Sequence, residues 1–484
     1  MVLAPASPER VEQPKAVAAL EQAVTAAGGG NKGRAAVADR VAYTWFNRII
    51  ALRFMDANGY AGIGVVSPQA GVDVGQPEIL AEAKRGNIDS EVVSQHARGT
   101  VTGLLSGSRR SDDPQGEAYA LLVTEYCRHW NRAMPFMFER EGDFTELLIP
   151  ANLLADDSVL NRAIKVLTED VCQDVEVIGW LYQFYITELK EQINDSKVPI
   201  GADNLAPVTQ LFTPHWIVRY LVENSLGRLW LRSRPSSRLR DRMGYYVEPL
   251  AGQQDTGIVV SSPEQIGVVD PACGSGHMLT YAFDLLYAIY EEEGYTPSSI
   301  PELILTHNLR GLEVDDRAAQ LASFALAMKA RGRDRRFLQR RIQPDIIWIR
   351  TITFEPTSVQ RIVETVTTQP RSDGSPPDAE AVTRLLHSFV DADTFGSLIR
   401  VDADTVTALD AALQTLEGNT ADLYDSHHLA QLHELARQAK ALVDNQYHIL
   451  VTSPLLPRSL EHGGADSVCI VCFLTFSNTY HQYT

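Results

Sequence analysis

The spacing of hydrophobic positions changes partway along the chain. From about residue 36 to 195, apolar residues recur at helical intervals. In "VAYTWFNRIIALRFMDANGY" (41–60), Val41, Trp45, Ile49, Leu52 and Met55 share one helical face, and Gly59 is placed to cap its end. "DVEVIGWLYQFYITELKEQI" (174–193) repeats the pattern. Between them, "MPFMFEREGDFTELLIPANLLADDS" predicts a loop and short helices. Nothing in this region alternates with the two-residue period of a strand. The first 35 residues are rich in Ala, Gly and Pro and end in "AAGGGNKG", predicting a weak helix and then a flexible linker.

Beyond residue 205 short β-like runs alternate with helical stretches. "IGVVD" (266–270), "LRGLEVD" (309–315), "IIWIR" (346–350) and "YHILVT" (447–452) predict strands, with helices at about 276–293 and 316–330. Strands separated by helices predict βαβ units and a parallel sheet. "TTQPRSDGSPPDAE" (367–380) predicts a disordered connection, and 380–446 predicts two or three helices inserted before the last strand. No internal repeat of fixed period is present. The expected fold class is α/β, a helical domain over 36–200 followed by a Rossmann-like domain over 205–455.

The 484 residues suffice for two to four domains, and 45% hydrophobic with 21% charged residues is an ordinary globular composition. No apolar run approaches the roughly 20 residues of a membrane span. "MVLAPASPERVEQPKAVAAL" has Glu and Pro where a signal peptide has its apolar core. Five scattered cysteines suit a reducing compartment, so the expectation is a cytoplasmic protein with no membrane partner. A net charge of −18 argues against nonspecific coating of nucleic acid, which rests on phosphate neutralisation. The six arginines of "RGRDRRFLQRR" (331–341) offer a local basic surface, although a solvated helix end is the commoner meaning of a charge run.

The chemistry-bearing stretch is "VVDPACGSGHMLTYAFDLL" (268–286). An apolar strand ends in Asp270, a turn holds Gly274 and Gly276, and an amphipathic helix follows. Glycines let the backbone bend and approach a ligand closely, and amides at the helix start favour an anionic group. No Gly-Lys-Ser/Thr follows, which rejects a P-loop, and Leu279 stands where a dinucleotide fingerprint has its third glycine. Cys273 has a rival meaning as a nucleophile, but no His or Lys of the motif is placed to activate it. Glu313 closes the second strand, where a carboxylate can take both hydroxyls of a ribose; the gap exceeds the roughly 20 residues of the dinucleotide fold. Asp315 and Asp316 suit the N-cap of the next helix. Upstream, Thr213-Pro214 predicts an N-cap followed by Pro at the first helical position.

D-P-A-C-G-S-G as a unit resembles motif I of the S-adenosylmethionine-dependent DNA methyltransferases that methylate amino groups. The resemblance implies that Asp270, with Pro271, lies near the amino end of the methionine moiety and that the Ala272–Gly276 loop wraps the cofactor. Phe212 and Thr213 look like the F-x-T-P element that lines the same pocket. The family flips the target adenine out of the duplex and holds it with Asn/Asp-Pro-Pro-Tyr/Phe after the fourth strand. Here Ser453-Pro454-Leu455-Leu456 follows "YHILVT". Pro454 matches, but Ser453 has a short hydroxyl where a carboxamide should reach, and Leu456 has no π-face. These three positions form a degenerate catalytic motif.

With "TWFNRIIALRFMD" and the order of these elements, residues 40 to 452 resemble the PglX family, adenine-specific DNA methyltransferases of Pgl/BREX phage-defence systems. The resemblance implies N6-adenine methylation of double-stranded DNA, S-adenosylmethionine as cofactor, no metal, and other phage-defence proteins as partners. Family members continue several hundred residues further, whereas the tail 456–484 does not look like the family, as a frameshift or truncation would produce. The expectation is an incomplete methyltransferase domain with weak or absent cofactor binding and no methylation. Cys469-x-x-Cys472 in that tail is a lone pair without the partners of a zinc site. The rival expectations are a non-catalytic cofactor- or protein-binding module and a methyltransferase acting on something other than DNA.

Overall fold

A computed structural model describes residues 2–4, 6–69, 75–196, 213–249, 257–368, 377–418, 426–447 and 468–471. The chain forms two compact units, Met1–Ile178 with Leu338–Arg341, and Gly179–Phe337 with Ile342–Thr484.

The main helices of the first unit are α1 (Pro14–Ala26), α2 (Gly30–Ala57), α3 (Gln95–Leu105) and α4 (Pro114–Asn131). The glycine-rich stretch that predicts a linker is instead the corner of a helical hairpin. Gly29 takes φ 66° and α2 starts at once after it. A Cβ on Gly33 would lie 2.2 Å from the carbonyl oxygen of Val24. Only glycine lets α2 leave so close to the end of α1. The apolar stripe of α2 is buried as its spacing predicts, at Val41, Trp45, Ile49, Leu52 and Met55. Gly59 follows the helix end with φ 64°, and the Tyr60 amide closes back on the Met55 carbonyl at 2.8 Å, a left-handed C-terminal cap.

The polar residues on α2 clamp loops. Trp45 Nε1 donates to the Thr145 carbonyl at 2.9 Å, and buried Arg48 reaches Thr145 Oγ1 at 3.2 Å and Glu139 at 3.3 Å. Arg53 donates to the Leu167 carbonyl and Ser67 Oγ at 2.8 and 2.9 Å. The Asp56 carboxylate accepts the amides of Val65, Val66 and Ser67 at 3.1, 2.9 and 3.0 Å. Burial pushes that carboxyl up to about 6, and the same amides pull against the rise. The stretch "TWFNRIIALRFMD" is therefore built to order the segments around α2.

In the second unit, α5 (Glu176–Ser196) and α6 (His215–Val222) precede β1 (Ile266–Asp270), α7 (His277–Glu292), β2 (Leu309–Glu313), α8 (Asp316–Arg333) and β3 (Asp345–Trp348). Then come α9 (Pro356–Thr367), α10 (Ala379–Ser388), α11 (Ala403–Gly418), α12 (Ser426–Tyr447) and β4 (Val468–Val471). The strands form a small parallel sheet in the order β3-β2-β1-β4. Asp270 pairs with Gly311 and Glu313 with Trp348. Leu312, Ile347 and Ile349 join Ile362, Val382, Leu386, Leu409, Leu435 and Leu442 of the later helices in one hydrophobic cluster.

The expected strand "YHILVT" falls almost wholly outside the described residues. Tyr447 ends α12, and residues 448–452 lie outside the described residues. The strand beside β1 is Val-Cys-Ile-Val, 468–471, within the tail. An apolar, β-branched run meets what an open edge of a parallel sheet demands. Thr213-Pro214 is shifted by one residue: Pro214, with ψ 137°, is the N-cap and His215 the first helical residue. No helix among the described residues is long and apolar enough to cross a membrane.

Candidate cofactor site

The site forms where β1 and β2 deliver their last residues. Asp270 ends β1 buried, and its Oδ1 accepts the Ala272 amide at 3.2 Å, which starts the turn. Gly274 takes φ 53° and Gly276 takes φ 89° as the residue before α7. At Gly276 the reason is steric as well as conformational, since a Cβ there would lie 3.1 Å from both Cα and Cβ of Ala322 on α8. The turn closes through the Gly276 amide on the Cys273 carbonyl at 2.8 Å and is tied sideways by the Cys273 amide on the Leu312 carbonyl at 3.0 Å.

Glu313, the last residue of β2, is buried and accepts three amides. Gly274 donates to its Oε2 at 2.7 Å, while Val314 and Asp315 donate to its Oε1 at 2.9 and 3.0 Å. The second strand end is thereby bonded to the glycine turn of the first. Burial pushes both carboxyls up to about 7; the Ala272 amide resists at Asp270, and at Glu313 the three amides resist while the Asp315 charge adds to the rise. The pair can accept hydrogen bonds from hydroxyl or ammonium groups. Burial first, then Glu313 and Asp270, hold the Cys273 thiol well above the usual range, which disfavours the thiolate a nucleophile needs. Its sulfur fills space instead, since a Cβ on Gly311 would lie 2.8 Å from it.

Thr213 is buried just ahead of α6. After α6 the helix widens into a π-turn over Glu223–Gly227. Fully buried Glu223 anchors the region to α7: its Oε1 accepts Tyr281 Oη at 2.6 Å and Arg219 Nε at 3.2 Å, and its Oε2 accepts the Tyr245 amide at 2.5 Å. Arg219 also stacks over the Tyr245 and Tyr281 rings, at 5.1 and 5.6 Å. The helix that follows Thr213-Pro214 is thus bonded to the helix that follows Gly276. His277, first residue of α7, is held neutral; burial, then the nearby His215, press it down to about 3.

The structure brings Asp270, Pro271, Ala272, Gly274, Gly276 and Glu313 together at one end of β1 and β2. Phe212, Ser453, Pro454 and Leu456 lie outside the described residues, as does Cys472. Sequence pattern did not single out Glu223 or Tyr281. The i, i+4 pairing of Arg219 with Glu223 is visible in the chain, but the contact to Tyr281 spans 58 residues and leaves no local trace. The arginines at 335, 336, 340 and 341 are solvent-exposed, as a charged helix end and turn would be.

No family model matches the chain. It is 37% identical over 456 residues to the adenine-specific methyltransferase BrxX of Escherichia coli O9:H4 (strain HS), which covers 87% of this chain and 36% of that protein. It is 35% identical over 448 residues to the adenine-specific methyltransferase PglX of Lacticaseibacillus casei (strain Zhang), with 86% and 35% covered. The chain therefore spans about a third of the length of the curated relatives it matches. Identity of this degree along nearly the whole chain places it, by sequence, in the PglX/BrxX-type family of adenine-specific methyltransferases.

Proposed function

We propose that this chain is the cofactor-binding portion of a site-specific DNA methyltransferase of a phage-resistance system, one that transfers a methyl group from S-adenosylmethionine to N6 of adenine. One observation carries the proposal. Two buried carboxylates end adjacent parallel strands and share a glycine turn, joined by the 2.7 Å bond from Gly274 to Glu313. Asp270 ends β1, the strand at which the order 3-2-1 gives way to 4, and Glu313 ends β2 beside it. In open parallel sheets ligands bind outside the carboxyl ends of the strands at such a switch point.

The residues fit a nucleoside carrying an ammonium group. Gly274 has nothing within 4 Å of where a Cβ would be, which leaves the turn open to a ligand. Glu313 would accept from the ribose diol through Oε2, Asp270 would face the amino end of the methionine moiety, and the Ala272–Gly276 backbone would follow the chain between them. Phe212 and Thr213 would close the pocket from the F-T-P element. The cofactor supplies an electrophilic methyl on a sulfonium, so the protein needs no strong base and must mainly orient two partners. Ser453, Pro454 and Leu456 occupy the positions that would hold a flipped adenine. Without a carboxamide and an aromatic ring there, this chain is catalytically impaired. Double-stranded DNA and other phage-defence proteins are the proposed partners.

Calorimetry with S-adenosylmethionine, run beside a tritiated-methyl transfer assay on phage and host DNA, tests both halves. The expected result is weak binding that Asp270→Ala and Glu313→Ala abolish, with no methyl transferred. Absent binding, or binding indifferent to both substitutions, overturns the site. Robust transfer overturns the impairment.

A further inference from the structure

We propose that Tyr182, on α5, is a positioning residue of the cofactor site, acting on Glu313 through Asp315. The inference rests on the cofactor reading above and adds to it a group more than a hundred residues away in sequence. Tyr182 Oη donates to Asp315 Oδ2 at 2.6 Å. The other oxygen, Oδ1, accepts the Arg317 amide at 2.8 Å and caps α8. With both oxygens engaged, Asp315 has one orientation, and its own amide is aimed at Glu313 Oε1, 3.0 Å away. Glu313 Oε2 in turn accepts Gly274 at 2.7 Å. Three hydrogen bonds therefore run in series from α5 to the glycine turn, and the Arg317 amide steadies the middle of the series from the side.

The chemistry of a vicinal diol gives this relay its use. A ribose hydroxyl needs a carboxylate lone pair at a fixed angle, and a Glu side chain has the rotamer freedom to lose that angle. Two backbone amides fill Oε1 and one occupies Oε2, so the lone pair left for a hydroxyl is on Oε2, and the bonds to Oε1 fix its direction. Tyr182 is 5% exposed and bonds to Asp315, so it orders the ligand-binding group without itself being that group. Outer partners of this kind typically cost a binding site on the order of tenfold when removed.

Tyr182→Phe keeps the buried ring and removes only the donor. Calorimetry would compare S-adenosylhomocysteine with its 2′,3′-dideoxy analogue, on the wild-type chain and the variant. The expected result is on the order of tenfold weaker binding of the diol ligand, an unchanged constant for the dideoxy ligand, and a near-wild-type melting temperature. Equal loss on both ligands would mean a general structural defect, and no loss on either would mean no relay; each outcome overturns the proposal. Amide exchange across residues 271–276, read by mass spectrometry, needs no ligand. It should quicken in the variant, and unchanged exchange also overturns the relay. Should the wild-type chain bind neither nucleoside, the cofactor reading fails on its own, and the exchange measurement still decides whether Tyr182 fixes the turn.

Discussion

Gly274 and Gly276 sit two residues apart in the same turn, yet their demands differ. At Gly274 a methyl group would meet nothing within 4 Å, so Gly274→Ala meets only left-handed backbone strain, about 1 kcal/mol. At Gly276 the methyl would press on the backbone of Ala322 while φ stays at 89°. Gly276→Ala is expected to cost roughly 2–3 kcal/mol, because rigid α8 must move. Urea unfolding of the two variants side by side checks the order, and equal losses would refute the steric account. This distinction was half legible in the sequence. The D-P-A-C-G-S-G string identifies both glycines as turn residues through their spacing from Asp270. Which of them is also a packing contact depends on Ala322, and no local rule reveals that. The same limit hid the meaning of Gly33, where the neighbouring Val24 carbonyl, rather than chain flexibility, requires glycine.

At the scale of elements, the Glu223 anchor holds α6 and α7 together. Glu223→Ala would deprive Tyr281 Oη, the Arg219 guanidinium and the Tyr245 amide of their common acceptor in a part-buried setting. The expected loss is about 2–3 kcal/mol, whereas Tyr281→Phe, which removes one neutral donor, should cost about 1 kcal/mol. A double-mutant cycle on the pair, read by chemical unfolding, should show strong coupling. Additive losses would mean that the two side chains act independently. Elements whose pattern is local were read well: β1 spans 266–270, and the stripe on α2 is buried as spacing predicts. Elements defined by pairing are harder to read: β1 pairs with 468–471, a short run in the tail that the sequence pattern did not single out as a strand, and Tyr447, the first residue of "YHILVT", ends α12.

For the whole molecule, three buried acids, with the less buried Glu139 beside them, lower stability as pH rises, and His277, held down at about 3, opposes them below its ordinary value of 6.5. Burial raises Asp56 to about 6 and Asp270 and Glu313 to about 7, all above their ordinary carboxyl values. The folded state therefore binds protons that the unfolded chain has already released. Their contribution to stability is fully present below about pH 4 and is lost as pH rises through 6 to 7. The net charge of −18 adds self-repulsion in the same direction. The melting temperature should fall between pH 5 and pH 8. Glu313→Gln should flatten part of that slope, and an unaltered slope would show that Glu313 does not titrate in this window.

The boundary between the two compact units, at Ile178 and Gly179, falls inside α5, near its first turn. Most boundaries of this kind lie in loops, where a chain can be divided at little cost. Here the helix that leaves the first unit is the one that carries Tyr182 to Asp315. Dividing the protein at its contact boundary would leave α5 beginning only three residues before that tyrosine, without its first turn. An isolated second unit that keeps the bond from Tyr182 to Asp315 should therefore begin upstream of Glu176, taking along residues that belong by packing to the first.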